Sequence, residues 1–377
     1  MIAKKKVYKY KTLTNVANRL RDDLNDHQFV LLYAYNGTGK TRLSMEFKNV
    51  SKKRKKEPTS DTLYYNAFTE DLFHWNNDLE NDTERFLKIN SESKFFEGFR
   101  ELALEEKIFA YLERYANFDF TIDYDKWTIV FKKNIKNIKY KPDNNEPEYI
   151  IQDNIKVSRG EENIFIWCVF LAIAELAIDD DGTGSYSWVK FIYIDDPISS
   201  LDDNNTIGVA SDLARLVKKG KDKIKVIISS HHSLFYNVMY NELRNISHKS
   251  HFLHKDGLNG YTLQTTNDTP FFHHVALLSE LKNAADSKKI NTYHFNMLRS
   301  TLEKTSTFFG FEDFSKCITG VEDEALFSRA LNLLSHGKYS MYEPVEMNED
   351  NKQLFTKILE AFLNKYEFHL PEIIAST

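Results

Sequence analysis

Cysteine is nearly absent: Cys168 and Cys317 are the two thiols in 377 residues. Two cysteines cannot build a disulfide framework or a Cys-rich zinc site, so a reducing cytoplasm is the expected compartment. Proline and glycine are sparse too, at seven and 13, and no Pro- or Gly/Ser-rich linker is present, so tight domain joints are expected. No apolar run reaches the roughly 18 uninterrupted residues of a spanning helix. The start, MIAKKKVYKYK, is basic but has no apolar h-region, so no secretory signal is expected. A charge excess of one sign is also missing. The net charge of −5 argues against a surface coated in positive charge for bulk duplex binding, while leaving room for a local basic groove. What is plentiful is aromatic: 28 Phe and 20 Tyr supply apolar surface for real cores. With 42% hydrophobic and 28% charged residues the balance is that of a soluble globular protein, not a disordered or fibrous one. At about 150 residues per domain the length fits two to three domains.

Periodicity gives a coarse outline. Thr14–Leu24 has helical spacing, and Phe29–Tyr33 (FVLLY) reads as a buried strand, followed by a Gly-containing turn and a helix from Lys40. Ser51–Pro58 (SKKRKKEP) reads as a basic surface loop, either a solvated connection or a nucleic-acid contact. Asp71–Ala116 reads as a helical insertion, Trp127–Tyr140 as a hairpin or curved sheet, and Asp143–Glu148 as a polar turn. Ile164–Ile178 is a long apolar helix, and DDDGTGSYS after it is a loop. Phe191–Ile194 and Val226–Ile228 are short β-branched runs expected as central parallel strands, and the chain after about Tyr261 reads as helical.

The sharpest local feature is LLYAYNGTGKTRLS. Its core, Ala34-Tyr35-Asn36-Gly37-Thr38-Gly39-Lys40-Thr41, is a phosphate-binding loop with Ala in place of the first Gly. Gly37 and Gly39 let backbone amides close around phosphate oxygens, with the helix dipole in favour. Lys40 can reach the β- and γ-phosphates, and the Thr41 hydroxyl can ligate Mg²⁺. A second strand ends in two acids, Phe191-Ile192-Tyr193-Ile194-Asp195-Asp196. Asp195 is expected to hold Mg²⁺ through water and Asp196 to polarise the attacking water, from a strand placed beside the loop.

Between and after these lie Ser158-Arg159-Gly160-Glu161, opening an apolar helix, then Ser199-Ser200-Leu201-Asp202 and a strand ending in Ser229-Ser230-His231-His232. Over about residues 25–240 the order of five motifs resembles the ABC-type ATPases: Walker A, signature, Walker B, D-loop with Asp202, and switch histidine. The resemblance implies head-to-tail dimers in which Ser158 and Gly160, with Glu161 beside them, complete the partner's nucleotide site, and His231 senses the γ-phosphate. The family's usual catalytic Glu is Asp196 here, Arg159 and a missing leading Leu make the signature degenerate, and no convincing Q-loop is found beyond Asn66–Asp71 (NAFTED). His231 and His232 both remain candidates for the switch.

In the last third, Arg299 and Glu303 are i,i+4 and so share a helix face, and His336 stands beside Gly337 at the end of ALNLLSHG. Arg, Glu and His without metal-ligand spacing can form a metal-free ribonuclease set: Glu303 as base for the ribose 2′-OH, His336 as acid for the leaving oxygen, Arg299 stabilising the phosphorane. The residues alone equally allow a helix-face salt bridge and a capping histidine. His248, His251 and His254 lack the cysteines or paired carboxylates of a metal site.

Taken together, YAYNGTGKTRLS, LYYNAFTEDLF, IDDPISSLDDNN, RSTLE and LLSHG resemble the bacterial tRNA anticodon nucleases (the PrrC family), over nearly the whole chain. That resemblance implies an α/β ABC-type P-loop nucleotidase domain over residues 1–265 and a mostly α-helical ribonuclease domain over 266–377. It maps the nuclease set onto Arg299, Glu303 and His336, cutting tRNA-Lys in its anticodon loop to leave a 2′,3′-cyclic phosphate. It implies GTP or ATP with Mg²⁺, dTTP as an activating signal, a homodimer or higher homo-oligomer, and a type I restriction–modification complex that silences the nuclease until phage infection. By the same resemblance Phe271–Ile290 either helps recognise the anticodon or is an amphipathic core helix. The rival is an ABC-type DNA-sensing or repair ATPase with a partner-binding C-domain, disfavoured because no sustained heptads lie between Lys40 and Ser158. A toxin of the same fold acting on another nucleic acid is a third reading.

Overall fold

The structure, a computed structural model, describes residues 7–55, 61–66, 72–76, 85–96, 99, 104–140, 147–198, 201–256, 260–266, 273–318 and 346–366. Its internal contacts divide the chain into Lys6–Asn267 and a C-terminal unit from Asp268. The first unit runs β1 (Val7–Tyr10), α1 (Leu13–Asp26), β2 (Phe29–Tyr33), α2 (Lys40–Lys55), β3 (Thr62–Asn66), β4 (Phe73–Asn76), β5 (Phe86–Ile89), α3 (Glu105–Leu112), β6 (Asp119–Asp123) and β7 (Thr128–Lys136). It continues with β8 (Tyr149–Gln152), α4 (Arg159–Asp179), β9 (Phe191–Asp195), α5 (Asp203–Lys219), β10 (Lys225–Ser230), α6 (Ser233–Leu243), β11 (His248–Asp256) and β12 (Gly260–Thr265). The C-terminal unit contains α7 (His273–Asp286), α8 (Thr292–Phe309) and α9 (Glu349–Lys365).

A mixed seven-stranded sheet carries the first unit, in the order β1-β12-β11-β2-β10-β9-β3. The five strands from β11 to β3 are parallel, and β12 and β1 add antiparallel partners at one edge. β2 is buried along its whole length, as a central strand covered on both faces must be. The acid-bearing strand β9 does not adjoin β2: β10 lies between them. Chain order does not reveal this insertion, because parallel neighbours are set by crossover packing and not by sequence proximity.

α4 is apolar on all sides, and its residues from Ile164 to Ala174 are buried without a break. A helix with no polar face belongs inside a core, and no described helix is long and apolar enough to cross a membrane. α4 starts at a capping box: the Ser158 hydroxyl accepts the Glu161 N–H at 3.2 Å, and the Glu161 carboxylate accepts the Ser158 N–H at 2.7 Å.

Two local expectations are overturned. The segment read as a helical insertion contains β4 and β5, and these join β7 and β6 in a second, antiparallel sheet of order β4-β5-β7-β6, to which β8 adds through β7. β5 alternates in burial, with Leu87 and Ile89 inside and Lys88 outside; β4 pairs with β5, and β5 takes its second partner from β7, far along the chain, which no local spacing reports. α3 is the one long helix described within 71–116. The basic segment SKKRKKEP is not a loop through its first five residues, since α2 continues to Lys55. Lys and Arg are good helix formers, and cations at a helix C-terminus are favoured by its dipole. The polar turn expected at Asp143–Glu148 lies mostly outside the described residues.

β11 carries the three histidines, and it places His251 inside the fold, not at a metal. Its Nε2 donates to Asp23 Oδ2 at 2.8 Å, and Arg19 Nη2 lies 2.8 Å from Asp23 Oδ1. Burial lowers the His251 pKa, so the imidazole is neutral in the fold. Burial also works to raise Asp23, but the hydrogen bonds from His251 and Arg19 outweigh it and hold the carboxyl below its ordinary range. The signs run the same way. Below about pH 6.5 the unfolded chain takes a proton at His251 that the folded chain refuses, and Asp23 adds a further loss as pH falls below about 3.8. Stability therefore falls with acid, and His251→Gln should flatten its slope between about pH 7 and pH 5. Denaturant midpoints across that range check this; parallel slopes for wild type and variant would contradict it.

The C-terminal unit has its own core. Phe295, Leu298 and Leu302 recur along one face of α8 and are fully buried, against Leu278 and Leu281 of α7 and Phe355, Ile358 and Phe362 of α9. The segment Phe271–Ile290 thus contributes a packed amphipathic helix. Gly310 ends α8 at φ 71°, the left-handed position that glycine fills without a Cβ penalty.

Candidate functional site

β2 delivers the chain into the phosphate loop at the C-terminal edge of the sheet, where parallel α/β folds collect their ligands. Gly37 and Gly39 both have positive φ, 81° and 103°, which L side chains rarely adopt. Thr38 N–H donates to the Tyr35 carbonyl at 3.3 Å, closing the turn. Lys40 opens α2 and is 5% exposed. Its Nζ donates to Ala34 O at 3.1 Å, Tyr35 O at 3.3 Å and Asn36 Oδ1 at 3.3 Å, and lies 3.0 Å from Asp196 Oδ2.

The two acids ending β9 face different partners. Asp195, 1% exposed, accepts the Ser229 hydroxyl at 2.7 Å and is hydrogen-bonded to the Thr41 side chain. Burial pushes its pKa up to about 6, with Asp196 adding and Ser229, Thr41 and Lys40 opposing. Asp196 has φ 46°, a left-handed conformation that turns its carboxylate away from the strand. That carboxylate accepts the His231 N–H at 2.9 Å and His231 Nδ1 at 2.8 Å. An ionised carboxylate only accepts, so Nδ1 carries the proton. Burial would raise Asp196, but His231 and the Lys40 ammonium more than compensate and hold it below its ordinary range. Adjacent carboxyls pushed in opposite directions are equipped for different tasks.

The geometry separates the two histidines. His231 touches Asp196, whereas His232 caps α6, its Nδ1 accepting the Phe235 N–H at 3.4 Å. Ser229 had no role in the motif reading; it is the first of two serines that end β10 after its apolar run, and it is in register with Asp195. The donors around Asp195, a carboxylate and the Thr41 and Ser229 hydroxyls, are all hard oxygens, the chemistry that suits Mg²⁺. A carboxyl raised by burial gains from a divalent cation beside it. The residues therefore fit a Mg²⁺–nucleotide, which Asp195 and Thr41 could hold.

The remaining motif residues begin or close helices. Ser158 is the N-cap of α4, with Gly160 and Glu161 in its first turn. Ser158 and Arg159 are exposed, and Arg159 pairs with Glu162 at 3.3 Å. Asp202 is the N-cap of α5 and accepts the Asn205 N–H at 2.8 Å. Ser199 and Ser200 lie outside the described residues, as does NAFTED beyond Asn66.

In the C-terminal unit Arg299 and Glu303 meet directly: Nε donates to Glu303 Oε1 at 2.7 Å. Arg299 is mostly buried beside Phe314, 5.9 Å from its ring, and Glu303 is about half exposed at 46%. α8 is positioned by its buried face, which leaves this pair at the margin of the core. His336 lies outside the described residues.

Comparison with known proteins identifies the family. A family model described as AAA domain matches residues 133–364, beginning beyond the phosphate loop and running into α9. The chain is 33% identical over 363 residues to an anticodon nuclease of Escherichia coli, a match covering 90% of this chain and 89% of that protein. The first unit is an AAA-type α/β nucleotidase domain with a mixed sheet, and the chain as a whole belongs to the anticodon nuclease family.

Proposed function

We propose that this chain is a nucleotide-gated, metal-independent endoribonuclease that cuts tRNA in the anticodon loop, with tRNA-Lys the first substrate to try. The observation that carries the reading is the Arg299–Glu303 pair on α8, in a chain that matches an anticodon nuclease over 90% of its length. Glu303 takes the proton from the ribose 2′-OH. The freed oxygen attacks the adjacent phosphorus, the bond to the 5′-oxygen breaks, and His336 protonates that leaving oxygen. Arg299 stabilises the charge on the pentacoordinate phosphate. The products are a 2′,3′-cyclic phosphate and a 5′-hydroxyl.

The first unit supplies the gate. GTP or ATP with Mg²⁺ is its ligand, dTTP a further signal, and the bound cation neutralises phosphate charge. Gly37, Thr38 and Gly39 present the loop amides, Lys40 and Asn36 line the phosphates, and Asp195 and Thr41 hold the metal. Asp196 orients the attacking water, and His231, fixed on Asp196, senses whether the γ-phosphate is present. In a head-to-tail homodimer Ser158, Gly160 and Glu161 close the partner's site, with Asp202 at the same boundary. The motif order that resembles ABC ATPases supports this arrangement. A type I restriction–modification complex is the proposed silencer and phage infection the proposed trigger.

Two experiments test the reading. Wild type and His336→Ala are expressed in cells and total tRNA is probed for anticodon breaks: wild type should yield them under activating conditions and the variant should not. Equal cleavage by both would remove His336 from the mechanism. For the gate, Ser158→Asp keeps an N-cap of equal quality but sets a carboxylate against phosphate. Its unfolding midpoint should match wild type while nucleotide hydrolysis falls at least about tenfold. Unchanged hydrolysis would leave Ser158 a helix cap only.

A further inference from the structure

The C-terminal end of α8 exposes three phenylalanines: Phe308 at 82%, Phe309 at 51% and Phe311 at 37%. Rings left in water forgo the free energy that burial returns, so a cluster of them calls for an occupant. The backbone fixes their arrangement. Gly310 turns the chain out of the helix, and the Phe311 N–H donates back to the Ser306 carbonyl at 2.8 Å. This folds Phe311 beside Phe309, with ring centroids 5.7 Å apart and planes at 20°. Tyr366, which closes α9, lies 5.2 Å from Phe309 at 21°. Phe308 meets Phe309 edge-on at 5.3 Å.

Two lysines lie beside the rings, and the exposed acids Glu312 and Asp313 follow Phe311. Lys365 Nζ sits 6.0 Å from the Phe311 ring and 5.7 Å from that of Tyr366, and it donates to the Lys316 carbonyl. Lys304 is exposed one helical turn before Phe308, on the same face. Near-parallel aromatic faces interleaved with lysines are the chemistry of single-stranded nucleic acid, where bases stack on rings and phosphates meet cations.

The geometry points to a stacking platform for unpaired bases of the RNA substrate, with a base on Phe308 and its neighbouring phosphate on Lys304. This inference rests on the reading that Glu303 acts on RNA. Phe308 follows Glu303 by five residues, about 7.5 Å along the helix and about 140° round it. The rise alone spans about two stacked nucleotides at about 3.4 Å each and the turn adds to it, so the platform would take bases a few nucleotides away from the bond that is cut.

The test uses the full chain, a synthetic RNA stem-loop with an unpaired loop, and a fully paired RNA duplex without one. Binding is measured by fluorescence anisotropy for wild type, Phe308→Ala and Phe308→Trp. Phe308→Ala should weaken stem-loop binding about tenfold or more with duplex binding unchanged, and Phe308→Trp should restore it. The platform is overturned if Phe308→Ala binds the stem-loop as wild type does, or loses loop and duplex equally. It is also overturned if that variant changes only the mass of the oligomer, which would make the rings a contact between copies. Cleavage by wild type and Glu303→Gln is followed in parallel. Glu303-dependent cutting with normal Phe308→Ala binding removes the platform alone; a wild type that neither binds nor cuts RNA removes both.

Discussion

Glu303→Gln is expected to lower tRNA cleavage by about 10²–10⁴-fold, the usual contribution of a positioned general base, while barely changing the stability of the chain. The contrast between the two effects is what makes the substitution informative. Glu303 is 46% exposed and pairs with Arg299 one turn away at 2.7 Å. An exposed i,i+4 pair of this kind contributes about 0.3–0.5 kcal/mol, so a salt bridge that only braces α8 would cost that much and no activity. The amide of glutamine matches the carboxylate in shape and still accepts from Arg299 Nε, but it cannot take a proton from a ribose hydroxyl. Gel-resolved cleavage rates and denaturant unfolding on the same preparations separate the roles. Wild-type cleavage by Glu303→Gln would show that the pair is structural.

Lys40→Ala is expected to weaken nucleotide binding and hydrolysis by at least about a hundredfold, in the range seen when one preorganised donor is removed from a charged site. Lys40 is 5% exposed and has four oxygen partners within 3.3 Å, three of them in the phosphate loop and one on Asp196. Its ammonium is therefore held where phosphate oxygens are expected, and it is one of the two groups keeping Asp196 ionised. Lys40→Arg should not rescue, because a planar fork cannot replace a point charge inside so small a loop. Titration with a fluorescent nucleotide and measurement of phosphate release check both variants. Full activity in Lys40→Ala would mean that the loop does not bind the phosphates.

Much of the nucleotide site was legible because its chemistry is local. AYNGTGKT is a contiguous run, and glycines at its two left-handed positions are required by the backbone and not by packing. The apolar strand before Asp195 and the apolar run of α4 from Ile164 are equally local signals. What escaped was set by contacts distant in sequence. β4 and β5 are four-residue strands that pair with each other, and only β5 reaches β7, so the charged and aromatic spacing around them resembles a helix until those partners are known. The insertion of β10 between β2 and β9 is invisible to chain order, although it is what brings Ser229 to Asp195 and His231 to Asp196. His231 and His232 are neighbours in sequence and indistinguishable by type; only the start of α6 makes one a cap and leaves the other on Asp196. The i,i+4 spacing of Arg299 and Glu303 could be read directly, but their exposure, and the ring cluster farther along α8, could not.

If one chain couples a nucleotide site to RNA cutting, its tRNA breaks must depend on nucleotide. Purified full-length protein is incubated with total tRNA, with and without GTP or ATP and Mg²⁺, and the ends of any fragments are mapped. The expected result is breaks only in anticodon loops, ending in 2′,3′-cyclic phosphates, requiring nucleotide and vanishing in Glu303→Gln. Intact tRNA alongside active nucleotide hydrolysis by the wild type would contradict it and leave the chain a nucleotide-driven sensor.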